Sequence, residues 1–257
     1  MQYQDITSER SGDYVTITMD RPERRNALSV RHMRELIAAF CEAGESDARG
    51  VVLAANGPVF SAGHDFADLV GRGLAETRSM LTICTELMTT MQAIPQVVVA
   101  KVQGLATAAG CQLVASADLA VASDNAGFAT PGGRGGWFCH TPMVAVARAL
   151  PRKRALEMGF TGDAIDAQTA LQWGLVNRVV PREDLDGATL ELLERATRGS
   201  ALSKGLGKQG FYAQADMDQP KAYAYAIELM ASASQTEDGQ EGMRSFVEKR
   251  QPEFRGK

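Results

Sequence analysis

The chain has 257 residues, of which 45% are hydrophobic, and its formal net charge is −4. This length fits one large or two small domains with a substantial core. The mild negative charge excludes the basic patch that nucleic-acid binding needs, and no apolar run approaches the about 20 residues of a membrane span. We therefore expect a small molecule or a protein as partner, with no nucleic acid and no membrane.

The cysteines and the first residues carry information about compartment. Cys41, Cys84, Cys111 and Cys139 are scattered, without a CxxC pair or a metal-ligand spacing, so we expect reduced thiols and no metal site. The opening MQYQDITSER lacks both an apolar core and an Arg-rich amphipathic stretch. These features predict a cytoplasmic location.

Apolar runs rich in β-branched residues alternate with helical periodicity in the first 160 residues, which predicts an α/β fold. Ser29 is placed to cap the first helix, and a second helix is expected to end before Pro95. The predicted strands are residues 15–19, 51–55, 97–102 and 119–123, and the second helix is residues 76–91.

The last third of the chain is predicted to be nearly all helical. Asp166 can cap the segment AQTALQWG, and Gly174 can end it. Helical patterns follow at residues 190–197, 201–212 and 222–234. No linker precedes them, so we divide the chain into an α/β core at 1–200 and a helical region at 201–257, packed on the core or on a neighbouring subunit.

Two segments predict a site for a developing negative charge. PVFSAGHDFAD (58–68) follows a strand, and its Ala62-Gly63 turn leaves the His64 N–H without a strand partner. KVQGLATAAGCQLV (101–114) leads a strand into a helix whose first turn has small residues, so a ligand can reach the backbone N–H groups. Together they could form an oxyanion hole. Alone, either segment is more typical of close packing than of such a site.

Five segments in order resemble the landmarks of the enoyl-CoA hydratase/isomerase (crotonase) superfamily: RPERRNALS, VFSAGHDF, GLATAAGCQLVASADLAVAS, GFATP and FVEKRQPEF. The resemblance spans nearly the whole chain. It is closest to the enoyl-CoA hydratase domain-containing proteins that lack both catalytic glutamates. It implies a crotonase-like spiral of ββα turns with a C-terminal helical trimerisation region.

The resemblance also implies chemistry and assembly. The expected protein is a homotrimer or a dimer of trimers that acts on an acyl-CoA thioester in fatty acid metabolism. No cofactor is expected, because coenzyme A belongs to the substrate. The two oxyanion donors are implied to be the backbone N–H groups of His64 and Ala109.

Substrate contacts follow from the same resemblance. The turn after Arg24 and Arg25 is implied to lie against the adenine and pantetheine, and Lys249 to reach a phosphate of an adjacent subunit's ligand. Lys249 equally suits a solvated helix end, and Asp65 suits a helix cap better than a reactive group. The implied substrate-binding positions are Arg24, Arg25, Ala27, Ala62, His64, Asp65, Phe66, Ala109, Gln112, Pro131 and Lys249.

The pattern breaks where the family's hydratases carry their two catalytic glutamates, because Gln112 and Gly132 stand there. Neither can serve as a general acid or base, so hydration by the usual route is doubtful. His140 is a candidate proton-transfer group, and Arg134 a candidate to hold a substrate carboxylate. Cys139 is expected to be a packed thiol. The two tryptophans are expected in the core or an interface.

Four functions therefore compete. The favoured function is that of an acyl-CoA enzyme that stabilises an enolate. A methylmalonyl-CoA-type decarboxylase follows, because AGHD resembles the oxyanion segment of such enzymes and the reaction tolerates the loss of both glutamates. A non-catalytic acyl-CoA-binding protein is the third. A serine hydrolase is the weakest, because no Ser, His and Asp set stands at recognisable positions.

Overall fold

The computed structural model describes residues 3–257, which form ten strands and ten α-helices. The strands are β1 Ile6–Ser11, β2 Tyr14–Met19, β3 Gly50–Ala55, β4 Val59–Ser61, β5 Val97–Val102, β6 Leu105–Thr107, β7 Leu119–Ser123, β8 Gly127–Ala129, β9 Ile165–Asp166 and β10 Arg178–Val180. The helices are α1 Val30–Glu45, α2 Leu74–Ala93, α3 Ala109–Ser116, α4 His140–Ala149, α5 Arg152–Thr161, α6 Ala167–Trp173, α7 Leu185–Ala196, α8 Ala201–Gln214, α9 Gln219–Ala233 and α10 Glu237–Glu248.

Successive strands alternate between two sheets, which gives the chain its spiral course. The larger sheet has the order β1-β2-β3-β5-β7-β10, and the smaller one β4-β6-β8-β9. Three turns repeat the same unit: β3, β4 and α2, then β5, β6 and α3, then β7, β8 and α4. Neighbours within each sheet are parallel except β1 with β2 and β8 with β9. The predicted α/β spiral of ββα turns is confirmed.

The predicted strands match β2, β3, β5 and β7 to within one residue at each end, because they are the apolar strands that the core buries. The predicted caps are also present. Ser29 accepts a hydrogen bond from the backbone N–H of His32 at 3.1 Å, and Asp166 accepts one from Thr169 at 2.7 Å. Gly174 ends α6 with φ of 94°, a left-handed conformation that suits glycine.

The C-terminal helices are fixed to the spiral through α8. Lys208 pairs with Asp118 at 2.7 Å, largely shielded from solvent, and also donates to the backbone oxygens of Met91 and Gln96. Helix α9 buries no residue and exposes several large apolar side chains. Within residues 3–257, no helix is both long and apolar enough to cross a membrane. The division at residue 200 stays a prediction.

Candidate active site

The turn between β2 and α1 holds the first predicted oxyanion segment in place. Arg25 accepts a hydrogen bond from the backbone N–H of Ala62 at 3.0 Å. Leu28 donates to the carbonyl of Gly63 at 2.8 Å and accepts from the N–H of Asp65 at 3.1 Å. These three bonds fix the backbone on both sides of the next predicted donor, His64.

The second segment meets the first at Gly63. A Cβ placed on Gly63 would lie 2.9 Å from the Ala108 Cβ and 3.2 Å from the Ala109 nitrogen, so the backbones are in contact. Ala108 has φ of 50° and ψ of −117°, a conformation that a non-glycine residue rarely adopts and that is typical of functional sites. Within residues 3–257, the backbone N–H groups of His64 and Ala109 donate to no protein acceptor.

Glycine is required at the start of α3 because the helix lies directly on β4. A Cβ on Gly110 would come within 2.3 Å of the Ser61 carbonyl oxygen. Ser61 in turn donates through Oγ to the Asn26 carbonyl at 2.8 Å, and the Asn26 amide donates to the carbonyls of Asn56 and Val59. This network ties together the turn, the first segment and the first turn of α3.

A small cavity of about 110 Å³ opens beside these two segments. Most of its lining is apolar or aromatic. The ring of Trp137 lies 6.3 Å from the ring of His64 and 6.3 Å from that of Phe66, measured between centroids. The lining residues are Ala62, His64, Phe66, Leu81, Ala108, Gly132, Trp137, Phe138, Cys139, His140, Thr141 and Pro142. Trp137 is thus a cavity residue that is 40% exposed, and the expectation of a core position is wrong.

The imidazole of His64 is partly buried in this apolar environment, and both of its ring nitrogens are shielded from solvent. Among the described residues, neither of its ring nitrogens has a hydrogen-bond partner. Burial disfavours the charged ring and lowers the pKa of His64 to about 4. The side chain is therefore neutral near pH 7, and it cannot supply a positive charge to the site.

Gln112 and Gly132, the two positions at which the resemblance implies catalytic glutamates, differ in their surroundings. Gln112 is buried in α3, where its Oε1 lies 3.9 Å from the thiol of Cys84, and it is not among the cavity-lining residues. Gly132 lines the cavity but has no room for a side chain. A Cβ there would lie 2.2 Å from the Trp137 carbonyl oxygen and 2.8 Å from the Cys139 sulfur. The loop itself thus leaves no space for a side chain at position 132.

The sequence predicts roles for three residues that follow Gly132: proton transfer for His140, carboxylate binding for Arg134 and a packed thiol for Cys139. His140 begins α4, is exposed, lines the cavity and has its ring 5.1 Å from that of Phe138. Arg134 pairs with Asp163 at 3.0 Å on the surface and is not among the cavity-lining residues. Cys139 is buried, and burial raises the pKa of its thiol, so it is an inert packed group.

Asp65 faces the protein rather than the cavity. Its carboxylate accepts from the backbone N–H of Ala67 at 3.1 Å, which caps the 3-10 helix Phe66–Asp68. Arg21 and Arg24 each approach the same carboxylate to 3.4 Å. These contacts agree with the capping role that the sequence favours.

The other predicted substrate contacts lie in several places. Arg24 and Arg25 are exposed beside the partly buried Ala27. Pro131 begins the 3-10 helix Pro131–Gly133. Lys249 ends α10 in a left-handed conformation and is exposed, with no contact to the cavity. The structure thus brings together Ala62, His64, Phe66 and Ala109, and it leaves the others at the margins or elsewhere.

Comparisons with known proteins identify the family. The family model described as enoyl-CoA hydratase/isomerase matches residues 9–257. Mouse enoyl-CoA hydratase domain-containing protein 3, mitochondrial, is 44% identical over 250 residues, covering 96% of this chain and 83% of the mouse protein. Relatives of the same name in rat and human are 44% and 43% identical.

Solved structures agree. The crystal structure of enoyl-CoA hydratase from Mycobacterium smegmatis has a TM-score of 0.94 at 40% identity and covers 97% of this chain and 98% of its own. The crystal structure of human enoyl coenzyme A hydratase domain-containing protein 3 has a TM-score of 0.93 at 40% identity and covers 97% of this chain and 100% of its own.

These names contradict the prediction of a cytoplasmic location, because several of the similar relatives are called mitochondrial. That prediction rested on the first ten residues and on the reading of the four cysteines as reduced thiols. A targeting segment is recognised by import machinery and is not part of the fold, so composition near one end is a weak guide to location. The matched family model, the 44% identity and the shared fold show that this chain belongs to the enoyl-CoA hydratase/isomerase family, whose members act on acyl-CoA thioesters.

Proposed function

We propose that this protein binds an acyl-CoA thioester and stabilises its enolate with the backbone N–H groups of His64 and Ala109. One observation carries the proposal: the two segments touch at Gly63, next to the cavity that His64 and Ala108 line, and among the described residues the N–H groups of His64 and Ala109 have no protein acceptor. Each preorganised donor of this kind contributes about 3 kcal/mol to transition-state stabilisation in enzymes. Alanine at position 109 supplies the same N–H as glycine does.

Proton transfer in this site differs from that of a two-carboxylate hydratase. Among the residues that line the cavity, none carries a carboxylate. His64 is neutral and buried, which leaves His140 at the start of α4 as the exposed side chain able to exchange protons with solvent. Direct addition of water by the family's usual mechanism is therefore not the reaction that we propose.

A second candidate is decarboxylation of a malonyl-type thioester. The cavity is mostly apolar, and Arg134 is paired with Asp163 rather than placed at the cavity. An apolar environment disfavours a carboxylate relative to the delocalised enolate. The bond between Cα and the carboxyl carbon would break, its electron pair would pass to the enolate held by the two N–H groups, and carbon dioxide would leave. A proton from His140 or solvent then completes Cα. A non-catalytic acyl-CoA-binding protein remains the third alternative.

The coenzyme A portion is proposed to lie along the turn near Arg24 and Arg25. Both guanidinium groups are exposed, and a phosphate can bind such groups in bidentate geometry. Lys249 is proposed to reach a neighbouring subunit's ligand. We also propose a trimer or dimer of trimers, supported by the exposed apolar face of α8 and α9, whose groove has a volume of about 740 Å³.

The test of the main proposal compares two ligands by calorimetry. Butyryl-CoA carries the thioester carbonyl, and S-butyl-CoA is the thioether that lacks it. We expect the wild-type protein to prefer the thioester by about tenfold or more, which corresponds to about 1.4 kcal/mol. Equal affinities, or no binding of butyryl-CoA, would contradict the proposal.

Matched glycine variants locate the effect. Gly63→Ala and Gly71→Ala both introduce a Cβ at positive φ, 86° and 77° respectively. The new methyl group meets the second segment only at Gly63, since nothing lies within 4 Å of Gly71. The thioester preference should therefore disappear in Gly63→Ala and persist in Gly71→Ala.

The reaction itself is tested by incubating the protein with methylmalonyl-CoA and following the products by mass spectrometry. Loss of carbon dioxide that is absent in boiled controls, and that falls on His140→Ala, supports decarboxylation. If crotonyl-CoA and methylmalonyl-CoA both bind but remain unchanged, the non-catalytic alternative is the correct one.

A further inference from the structure

The peptide unit that carries the first proposed donor is held by its own carbonyl. Its N–H is that of His64, and its carbonyl is that of Gly63, which accepts a hydrogen bond from the Leu28 N–H at 2.8 Å. In a planar trans peptide the N–H and the carbonyl point in opposite directions. The bond from Leu28 therefore fixes the direction of the His64 N–H, and with it the place where a carbonyl oxygen can bind.

The preceding peptide unit repeats this arrangement. The Leu28 N–H shares its unit with the Ala27 carbonyl, and that oxygen accepts a hydrogen bond from Nη1 of Arg21 at 2.8 Å. Nδ1 of His32 lies 3.2 Å from the same oxygen and must be a donor, because a carbonyl only accepts. Burial lowers the pKa of His32, so this ring is neutral and Arg21 supplies the charge. Two peptide units thus connect a guanidinium to the His64 N–H.

Two carboxylates hold the guanidinium of Arg21 in this position. Its Nε lies 3.5 Å from Asp5, and its Nη2 lies 3.4 Å from Asp65. The side chain of Arg21 is only 14% exposed, so salt screens its charge weakly. Since the carboxylates lie at the other two nitrogens, the Ala27 oxygen faces the positive Nη1–H group. In a hydrogen-bonded chain each bond polarises the next and strengthens it by about 10–30%.

We infer that Arg21 is a positioning residue for the oxyanion site, which fixes the His64 N–H and strengthens it as a donor through Ala27 and Leu28. The inference rests on the proposed acyl-CoA function and adds the group that controls its first donor. Arg21 is not among the residues that line the cavity, so it acts through the backbone. Its charge should therefore matter for a ligand with a thioester carbonyl and not for one without it.

The test measures the preference for butyryl-CoA over S-butyl-CoA by calorimetry in the wild type, Arg21→Met, Arg21→Lys and Arg31→Met. Arg31 is the matched control, because it also pairs with Asp5, at 2.7 Å, and among the described residues its side chain donates to Asp5 alone. Both methionine variants thus remove one positive charge and one partner of Asp5. A general loss of stability weakens both ligands alike, whereas a weaker donor weakens the thioester alone.

We expect the preference to fall by about threefold or more in Arg21→Met and to keep its wild-type value in Arg31→Met. Arg21→Lys should lie between the wild type and Arg21→Met, because lysine keeps the charge but cannot span the Ala27 carbonyl and both carboxylates. The thioester carbonyl band of bound butyryl-CoA should move toward its solution frequency in the same order.

The outcomes separate this inference from the proposed function. If the wild type prefers the thioester and Arg21→Met keeps the full preference, or if Arg31→Met loses as much, the inference is overturned while the proposed function stands. If the wild type shows no preference, both are overturned. Thermal unfolding checks that each variant folds. If Arg21→Met does not fold, Arg21→Lys is compared with Arg31→Lys, and equal preferences in these two proteins overturn the inference.

Discussion

Gly132 lies against the backbone of Trp137 so closely that a Cβ on the glycine would sit 2.2 Å from the Trp137 carbonyl oxygen. The sulfur of Cys139 would be 2.8 Å from the same Cβ. Position 132 is thus closed to any side chain by the loop that follows it. A carboxylate at this position would require a different conformation of the loop.

We therefore predict that Gly132→Ala lowers the free energy of unfolding by about 1–3 kcal/mol, as overpacking does. Gly135→Ala in the same loop is the matched control, because its Cβ would have its nearest contact at 3.6 Å, and it should change stability by less than about 0.5 kcal/mol. Chemical denaturation measures both. We also expect Gly132→Glu to gain no hydration of crotonyl-CoA, and efficient hydration by that variant would contradict this account of the loop.

The buried histidine makes stability depend on pH. In the unfolded chain His64 has a pKa near 6.5, and in the folded protein its pKa is about 4, so the unfolded state binds more protons between these values. The stabilisation is present above pH 6.5 and is lost as the pH falls toward 4. From pH 7 to pH 5, His64 should account for a loss of about 2 kcal/mol in the free energy of unfolding.

His64→Gln removes this titration and should lose correspondingly less stability over the same interval in chemical denaturation. His32 is also buried with a lowered pKa, and it contributes in the same direction in both proteins, so the difference between them isolates His64. An identical pH dependence in the two proteins would show that the His64 ring is not buried in a neutral form.

The shielded ion pair between Lys208 and Asp118 contributes to the attachment of α8. Lys208→Ala leaves Asp118 without its cation and the Met91 and Gln96 carbonyls without a donor, so we expect a loss of about 3–5 kcal/mol in stability. Lys204→Ala on the same helix changes an exposed lysine and should have an effect below about 0.5 kcal/mol. Similar unfolding curves for the two variants would mean that α8 is held by other contacts.

The proposed nucleotide contact is tested with a truncated ligand. The double change of Arg24 and Arg25 to alanine should weaken the binding of butyryl-CoA by about tenfold. The affinity for butyryl-pantetheine, which lacks the nucleotide phosphates, should not change. The loss should shrink at high salt, because exposed charges are screened. Arg34→Ala changes an exposed arginine of α1 and shows the effect of removing one positive charge away from this turn. Equal weakening of both ligands would place these arginines elsewhere in the complex.

The sequence predicts the parts of the fold that its local chemistry specifies. The strand at 97–102 is specified by its own apolar run. The start of α1 is specified by the hydroxyl of Ser29, one residue before the helix. The three-residue strands β4, β6 and β8 escaped prediction because three residues are too few to show a period of two. Together with β9 they form the smaller sheet, which the local sequence does not show and which arises from the spiral arrangement of the chain.

The residues of the candidate site also divide into those that the sequence indicates and those that it does not. Gly63 and the small residues at 108–110 signal close backbone approach, and they do lie in contact. Trp137 gave no such signal, because an aromatic residue in a glycine-rich loop has no periodicity that shows which way it faces. Its position over His64 depends on a loop packed across α4 and α5, which is a tertiary property.

We propose above that two backbone N–H groups bind the thioester oxygen, and the stretching frequency of the thioester carbonyl tests this proposal directly. Infrared spectroscopy of butyryl-CoA labelled with carbon-13 at the thioester carbonyl measures the polarisation of that bond in the complex. Our account predicts a carbonyl band at lower frequency with the wild type than in water, and a return toward the solution value in Gly63→Ala but not in Gly71→Ala. A band at the solution frequency in the wild-type complex would contradict it.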